Sequence, residues 1–175
     1  VIVVIVGCEI AFWVLLALGL LARYALRASG LSRVLLLGVP AADVVLLAAS
    51  VADLRGGATA EPAHGLAAVY LGTSLVFGPQ MIRWADERVA HRLHHGPPPT
   101  RPPRTGRAHA ARERTQWYRH LLAYTIAAAV LALFTLLAGD PTRAKGAWTV
   151  MAPWSVILAI DFLISFSYTL SPRKN

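Results

Sequence analysis

Cysteine and charge are both scarce in this 175-residue chain. The single cysteine, Cys8, lies in the first apolar run, which excludes an intramolecular disulfide and any metal or redox site built on paired thiols. Free cysteine is among the most buried residue types, so Cys8 reads as a small apolar side chain. Charged residues make up 15% of the sequence, against about 25% in soluble globular chains. The chain has no G-x-S-x-G, H-E-x-x-H, Walker A loop or paired metal motif. It also has no internal repeat. The expectation is a protein that is not an enzyme and carries no cofactor or metal. What fills the chain is apolar: 56% of its residues are hydrophobic and mean hydropathy is +0.53. That balance points to lipid.

Runs of about 20 apolar residues are the length a bilayer requires of a helix. Five such spans are expected: Val1–Ala22, Arg33–Ala52, Ala63–Ile82, Trp117–Ala138 and Ala147–Tyr168. The first has no initiator Met before it, so a short leader or a few residues are expected to precede Val1. It is longer than the roughly 7–15 residues of a signal-peptide core and is read as a retained membrane helix. The predicted fold is all-α, a polytopic membrane protein of five transmembrane helices forming one domain over residues 1–175.

Orientation follows from where cations are missing. All but three of the 17 basic residues fall on one side of the spans, the exceptions being Arg55, Arg143 and Lys145. The basic side includes Arg23, Arg27 and Arg33, nine arginines from Arg83 to Arg119, and Arg173 and Lys174. Under the positive-inside rule this predicts an outside N-terminus and a cytoplasmic C-terminus. The net charge of +8 is then mainly a topology signal.

Residues 83–116 form the only sizeable polar element, a basic cytoplasmic extension and loop. Met81–His95 continues the third helix, with Ile82, Ala85, Val89 and Leu93 along one stripe. Gly96–Gly106, rich in proline, reads as an extended linker, and Arg107–Gln116 as a helical lead-in to the fourth span. The loop suits anionic lipid headgroups. It has few aromatics placed for stacking on bases, so nucleic acid is not expected. His91, His94 and His95 follow Glu87 on one helix face, but a solvated helix end is the commoner reading of that pattern.

The stretches EIAFWVLLALGLLARY, ADLRGGATAEPAHGLAAVYLG, FGPQMIRWADER and RTQWYRHLLAY are similar to the YmcC-type bacterial integral membrane proteins, from Glu9 to the closing SPRK. The resemblance implies a membrane protein without assigned activity. It brings no catalytic or binding residues with it.

Three acids stand in the apolar runs: Glu9 and Asp43 near the centres of the first and second spans, and Asp161 in the inner half of the fifth. A carboxylate at that depth costs about 2.5–3.5 kcal/mol on insertion scales and is by default a functional hypothesis. No basic residue is expected at their depth, since His120 falls at the inner end of the fourth span. The acids must then protonate, hydrogen-bond or bind a cation. Gln80, Ser165 and Tyr168 are candidate polar partners, and Asp161, Ser165 and Tyr168 share a helix face by their i, i+4, i+7 spacing. Pro40, Pro79 and Pro153 each free a backbone carbonyl inside a span. The expected function is a small transporter- or channel-like protein in which Glu9, Asp43 and Asp161 handle protons or a cationic solute. The alternative is a non-transporting scaffold or regulatory subunit that meets lipid or a partner through its basic loop. Multi-pass insertion in a bacterial-type plasma membrane is expected. A homodimer is also expected, on the small-residue faces Ser74/Gly78 and Ala48/Ala52.

Overall fold

A chain segment that cannot reach water must satisfy its own backbone, and a helix does this within one segment. The computed structural model describes residues 2–94, 97–99 and 102–171. Its elements are α1 (Ile2–Tyr24), α2 (Ser29–Arg55), α3 (Pro62–His94), α4 (Gly106–Ala138), α5 (Pro141–Trp148) and α6 (Met151–Leu170). No strand occurs among the described residues. All but α5 are long and apolar enough to cross a membrane. Large apolar side chains such as Leu37, Leu136 and Leu163 point outward at 69%, 77% and 67% exposure, as lipid-facing positions should. The protein is a five-span, all-helical membrane protein.

Small residues set how closely the helices approach. Across α1 and α2, a methyl group added at Gly19 would stand 2.8 Å from the Leu36 side chain, and one at Gly38 would stand 3.1 Å from Leu15. Gly72 brings α3 against the backbone of α4 at Ala123 and Ala127, where both alanines are fully buried. Without water to drive apolar surfaces together, such close contact is how membrane helices associate. The densest core lies at the end of the bundle away from the arginine-rich segment. There Leu47 and Leu54 of α2 meet Ala67, Ala68, Leu131 and Phe134.

The fifth span differs from expectation. Ala147–Tyr168 is not one helix but the end of α5, a turn at Thr149–Val150, and α6. Three local signals make the extra helix. Gly139 closes α4 at φ 79°, a left-handed conformation that favours glycine. Asp140 caps α5 by accepting from the Thr142 N–H at 2.9 Å, and Pro141 occupies its first turn. Pro153 therefore does not break a helix; it lies in the first turn of α6, where its missing N–H has no intrahelical partner to lose. Pro40 and Pro79 sit inside α2 and α3, which run on through them. α5 is sewn down by Ala60 N–H to Arg143 O at 2.7 Å and by Arg143 Nη1 to Leu54 O at 2.7 Å.

The polar ends match expectation more closely. α3 continues to His94 and α4 begins at Gly106, with non-helical chain at 97–99 and 102–104 between them. His95, Arg101, Arg173 and Lys174 lie outside the described residues.

Gly72→Ala is expected to cost about 1–3 kcal/mol through overpacking, because its methyl group would meet the Ala123 carbonyl oxygen at 2.5 Å. Gly78→Ala is the control, since nothing lies within 4 Å of the position its methyl group would take. Denaturation in mixed micelles should separate the two variants. A second expectation concerns the α5 cap. Hydrogen bonds from Thr142 hold the Asp140 carboxyl below its ordinary range. The cap is therefore intact at neutral pH and is lost as acid protonates that carboxyl, so the protection of the Thr142 amide relative to its intrinsic exchange rate should fall on acidification.

Candidate functional site

An antiparallel hairpin of α4 and α6 carries most of the polar contacts inside the spans. Its register is fixed by side chains: Arg114 Nη1 donates to Thr169 Oγ1 at 2.8 Å and Trp117 Nε1 to the Leu158 carbonyl at 3.2 Å. Tyr124 and Ser155 share a hydroxyl–hydroxyl bond of 2.8 Å. Six residues beyond Arg114 is His120, level with the middle of α6. His120 is thus not at the edge of its span. The lead-in and the span are one long helix, and the hairpin register brings the imidazole opposite the middle of α6.

There His120 meets Asp161. The imidazole Nδ1 lies 2.8 Å from Asp161 Oδ2, and on the other side of the ring Trp154 Nε1 donates to His120 Nε2 at 2.7 Å. Ser165 Oγ stands 3.5 Å from Asp161 Oδ1, long for a hydroxyl–carboxylate bond, though Ser165 itself is 1% exposed. The expectation that no basic residue shares the depth of the acids is corrected here for Asp161. Arg119, next along α4, turns the other way and hydrogen-bonds Gln80 of α3. One layer thus runs Gln80–Arg119 on one side of α4 and His120–Asp161 on the other.

The remaining expected residues have different surroundings. Asp43 is 5% exposed on the buried stripe of α2, with Val39, Leu47 and Leu54, and its Oδ2 has no hydrogen-bond partner. Among the described residues no hydrogen bond joins it to Asp161, whose partners come from α4 and α6. Asp43 is five residues on from Gly38, and Ile10 is five back from the Leu15 that Gly38 faces. Asp43 therefore stands level with the turn of α1 that carries Glu9. The Glu9 side chain lies outside the described residues. Tyr168 shares the face of Asp161 and Ser165, but its ring packs edge-on against His109 at 4.8 Å. At the arginine-rich end Arg23 is bonded to Asp86 through both carboxylate oxygens, tying α1 to α3. Arg88 sits 3.7 Å over the Trp84 ring.

Reading one helix at a time missed His120, Arg119 and Trp154. A usable signal was present: Trp117, His120 and Tyr124 recur at helical spacing on α4, marking a polar-aromatic stripe that needed a partner.

The comparisons with known proteins bear on the whole chain. Residues 107–174, from α4 through α6, match the model of the 2TM domain. The uncharacterized membrane protein YmcC of Bacillus subtilis (strain 168) is 43% identical over 171 residues, covering 97% of this chain and 91% of that protein. The chain belongs to the YmcC family. No solved structure matches it. YmcC membership agrees with the membrane class read from hydropathy and brings no activity with it. The 2TM match covers the hairpin on which the His120–Asp161 pair is built.

Asp161→Ala is expected to destabilise the hairpin by about 1–3 kcal/mol, the cost of stranding a largely buried donor. Asp161→Asn keeps an oxygen to accept from His120 and should lose much less. Denaturant unfolding of the two variants in the same lipid checks the difference.

Proposed function

We propose that this protein is a non-transporting membrane scaffold or regulatory subunit. It is set in a bacterial-type plasma membrane, with its N-terminus outside and its C-terminus cytoplasmic. The observation that supports this reading most is the separation of the acids. Asp161 is taken up by His120 within the α4–α6 hairpin, while Asp43 is enclosed on the buried face of α2. A solute path would need such groups to converge on water. Asp161 and Asp43 instead have separate surroundings, on the α4–α6 hairpin and on the buried face of α2. The arginine-rich segment, with Arg107 and Arg112 exposed, meets anionic headgroups, each cation adding about 1 kcal/mol near the surface. Exposed Ala48 and Ala52 on α2, and the open face at Gly78, suit close approach of a second copy.

A second reading keeps proton handling, and one observation favours it. Asp43 Oδ2 is buried without a partner, and an intramembrane carboxyl in that state is a candidate proton carrier.

Proton flux into proteoliposomes under an imposed potential separates the two. The scaffold reading expects wild type, Asp43→Asn and Asp161→Asn all to leak no faster than empty liposomes. Flux above that background, abolished by either substitution, overturns it in favour of transport. For the lipid contact, Arg104→Gln, Arg107→Gln and Arg112→Gln combined should reduce retention of anionic over zwitterionic lipid in native mass spectrometry. Unchanged retention removes the loop from lipid binding.

A further inference from the structure

Trp154 and Asp161 clamp the two nitrogens of His120 from opposite sides, and the clamp fixes the proton. An indole N–H can only donate. With Trp154 Nε1 donating to Nε2 at 2.7 Å, Nε2 must offer its lone pair and carries no hydrogen. A neutral imidazole has one N–H, so that hydrogen sits on Nδ1 and points at Asp161 Oδ2, 2.8 Å away. The reverse arrangement, with a protonated Asp161 donating to Nδ1, would leave both ring nitrogens as acceptors and make the ring an anion. Rotating the ring by half a turn would place carbons against both partners. The arrangement as it stands is the one that satisfies all three groups.

We propose that the His120–Asp161 pair is a proton-binding site inside the bilayer, kept closed by Trp154. His120 is held as the neutral Nδ1–H imidazole, and it takes up a proton only when the indole releases Nε2. Uptake of a proton at Nε2 breaks the Trp154 bond and makes the ring an imidazolium, which the Asp161 carboxylate already faces. Trp154 is a positioning residue here: it acts through His120.

The surrounding charges leave that nitrogen to Trp154. From α6 the facing ionisable group is Asp161, on the far side of the ring. Arg119 on α4 itself is engaged by Gln80 of α3, and Tyr124, one turn on, is bonded to Ser155 of α6. On α2 the mid-helix acid Asp43 belongs to that helix's own buried face. The cations of α5 are at the end of the bundle, where Arg143 is tied to Asp140 and the Leu54 carbonyl. Trp154 also packs edge-on against Tyr124 at 5.3 Å, which orients the indole. It stands in the first turn of α6, directly after the turn that separates α5 from α6. Release of His120 would therefore free the start of α6. The inference goes beyond the scaffold reading and holds whether or not the chain moves a solute.

The test is the nitrogen-15 spectrum of histidine-labelled full-length protein in lipid bilayers, with His120 assigned by the signal lost in His120→Gln. At neutral pH the wild-type ring should show a bare Nε2 and a strongly hydrogen-bonded Nδ1–H. On acidification the wild-type ring, its Nε2 occupied by Trp154, should gain a second proton only after the Trp154→Phe ring does. Trp154→Phe should keep the Nδ1–H at neutral pH. A wild-type Nε2–H tautomer, or an imidazolium at neutral pH, overturns the proposal without any variant being needed. Identical behaviour of wild type and Trp154→Phe on acidification overturns the role of Trp154.

Discussion

A polar atom in hydrocarbon has no water to fall back on, and that constraint organises this protein from the single turn to the whole bundle. Within helices it is met locally. The hydroxyls of Ser50, Thr73, Thr125 and Thr135 each donate to the carbonyl four residues earlier, at 2.7–2.8 Å. Charged and aromatic groups cannot close on their own helix in that way, so they reach across to another. The pairs Arg23–Asp86, Arg119–Gln80, His120–Asp161 and Trp154–His120 are the inter-helix result. Asp43 Oδ2 is the mid-helix exception, which is why it keeps a second functional reading alive.

The two ways of joining helices divide the bundle. α1 and α2 approach through Gly19 and Gly38, and α3 meets α4 and α5 in the same way at Gly72 and Gly65. α6 has few buried residues, Met151 and Ser165 among them, and its apolar contact with α4 is aromatic, with Phe162 and Phe166 edge-on to Trp117. Its place against α4 also rests on a ladder of side-chain hydrogen bonds from Tyr124–Ser155 at one end to Arg114–Thr169 at the other. Packing of small residues tolerates no added methyl group, whereas a hydrogen-bond ladder can be opened rung by rung. The α4–α6 hairpin is the part of the bundle joined by such rungs.

Hydropathy made the five spans legible, because length and apolarity alone decide whether a helix can cross a bilayer. The short helix α5 was missed because it lies between two spans and partly within the expected fifth one. Its signal was nevertheless local: Gly139, Asp140 and Pro141 end one helix and start another. The site was less legible for a different reason. Periodicity says which residues share a face, as with Asp161, Ser165 and Tyr168, but gives no register between helices. Asp161 finds His120 because α4 extends without a break from Gly106. Tyr168, two turns along the same face, is carried far enough to meet His109 instead.

Register also decides which charges share a layer with His120 and Asp161. Arg119 and His120 are neighbours on α4, so the guanidinium is about 1.5 Å along the axis from the level of the imidazole. An arginine is always charged. A fixed positive charge at that depth opposes the passage of cations, as it does in pores that exclude them. A path for cationic solute through this layer would have to displace Arg119 from Gln80 or run along another face of the bundle. A layer hydrogen-bonded across three helices ties α3, α4 and α6 to one another at a single level, with Arg119–Gln80 on one side of α4 and His120–Asp161 on the other.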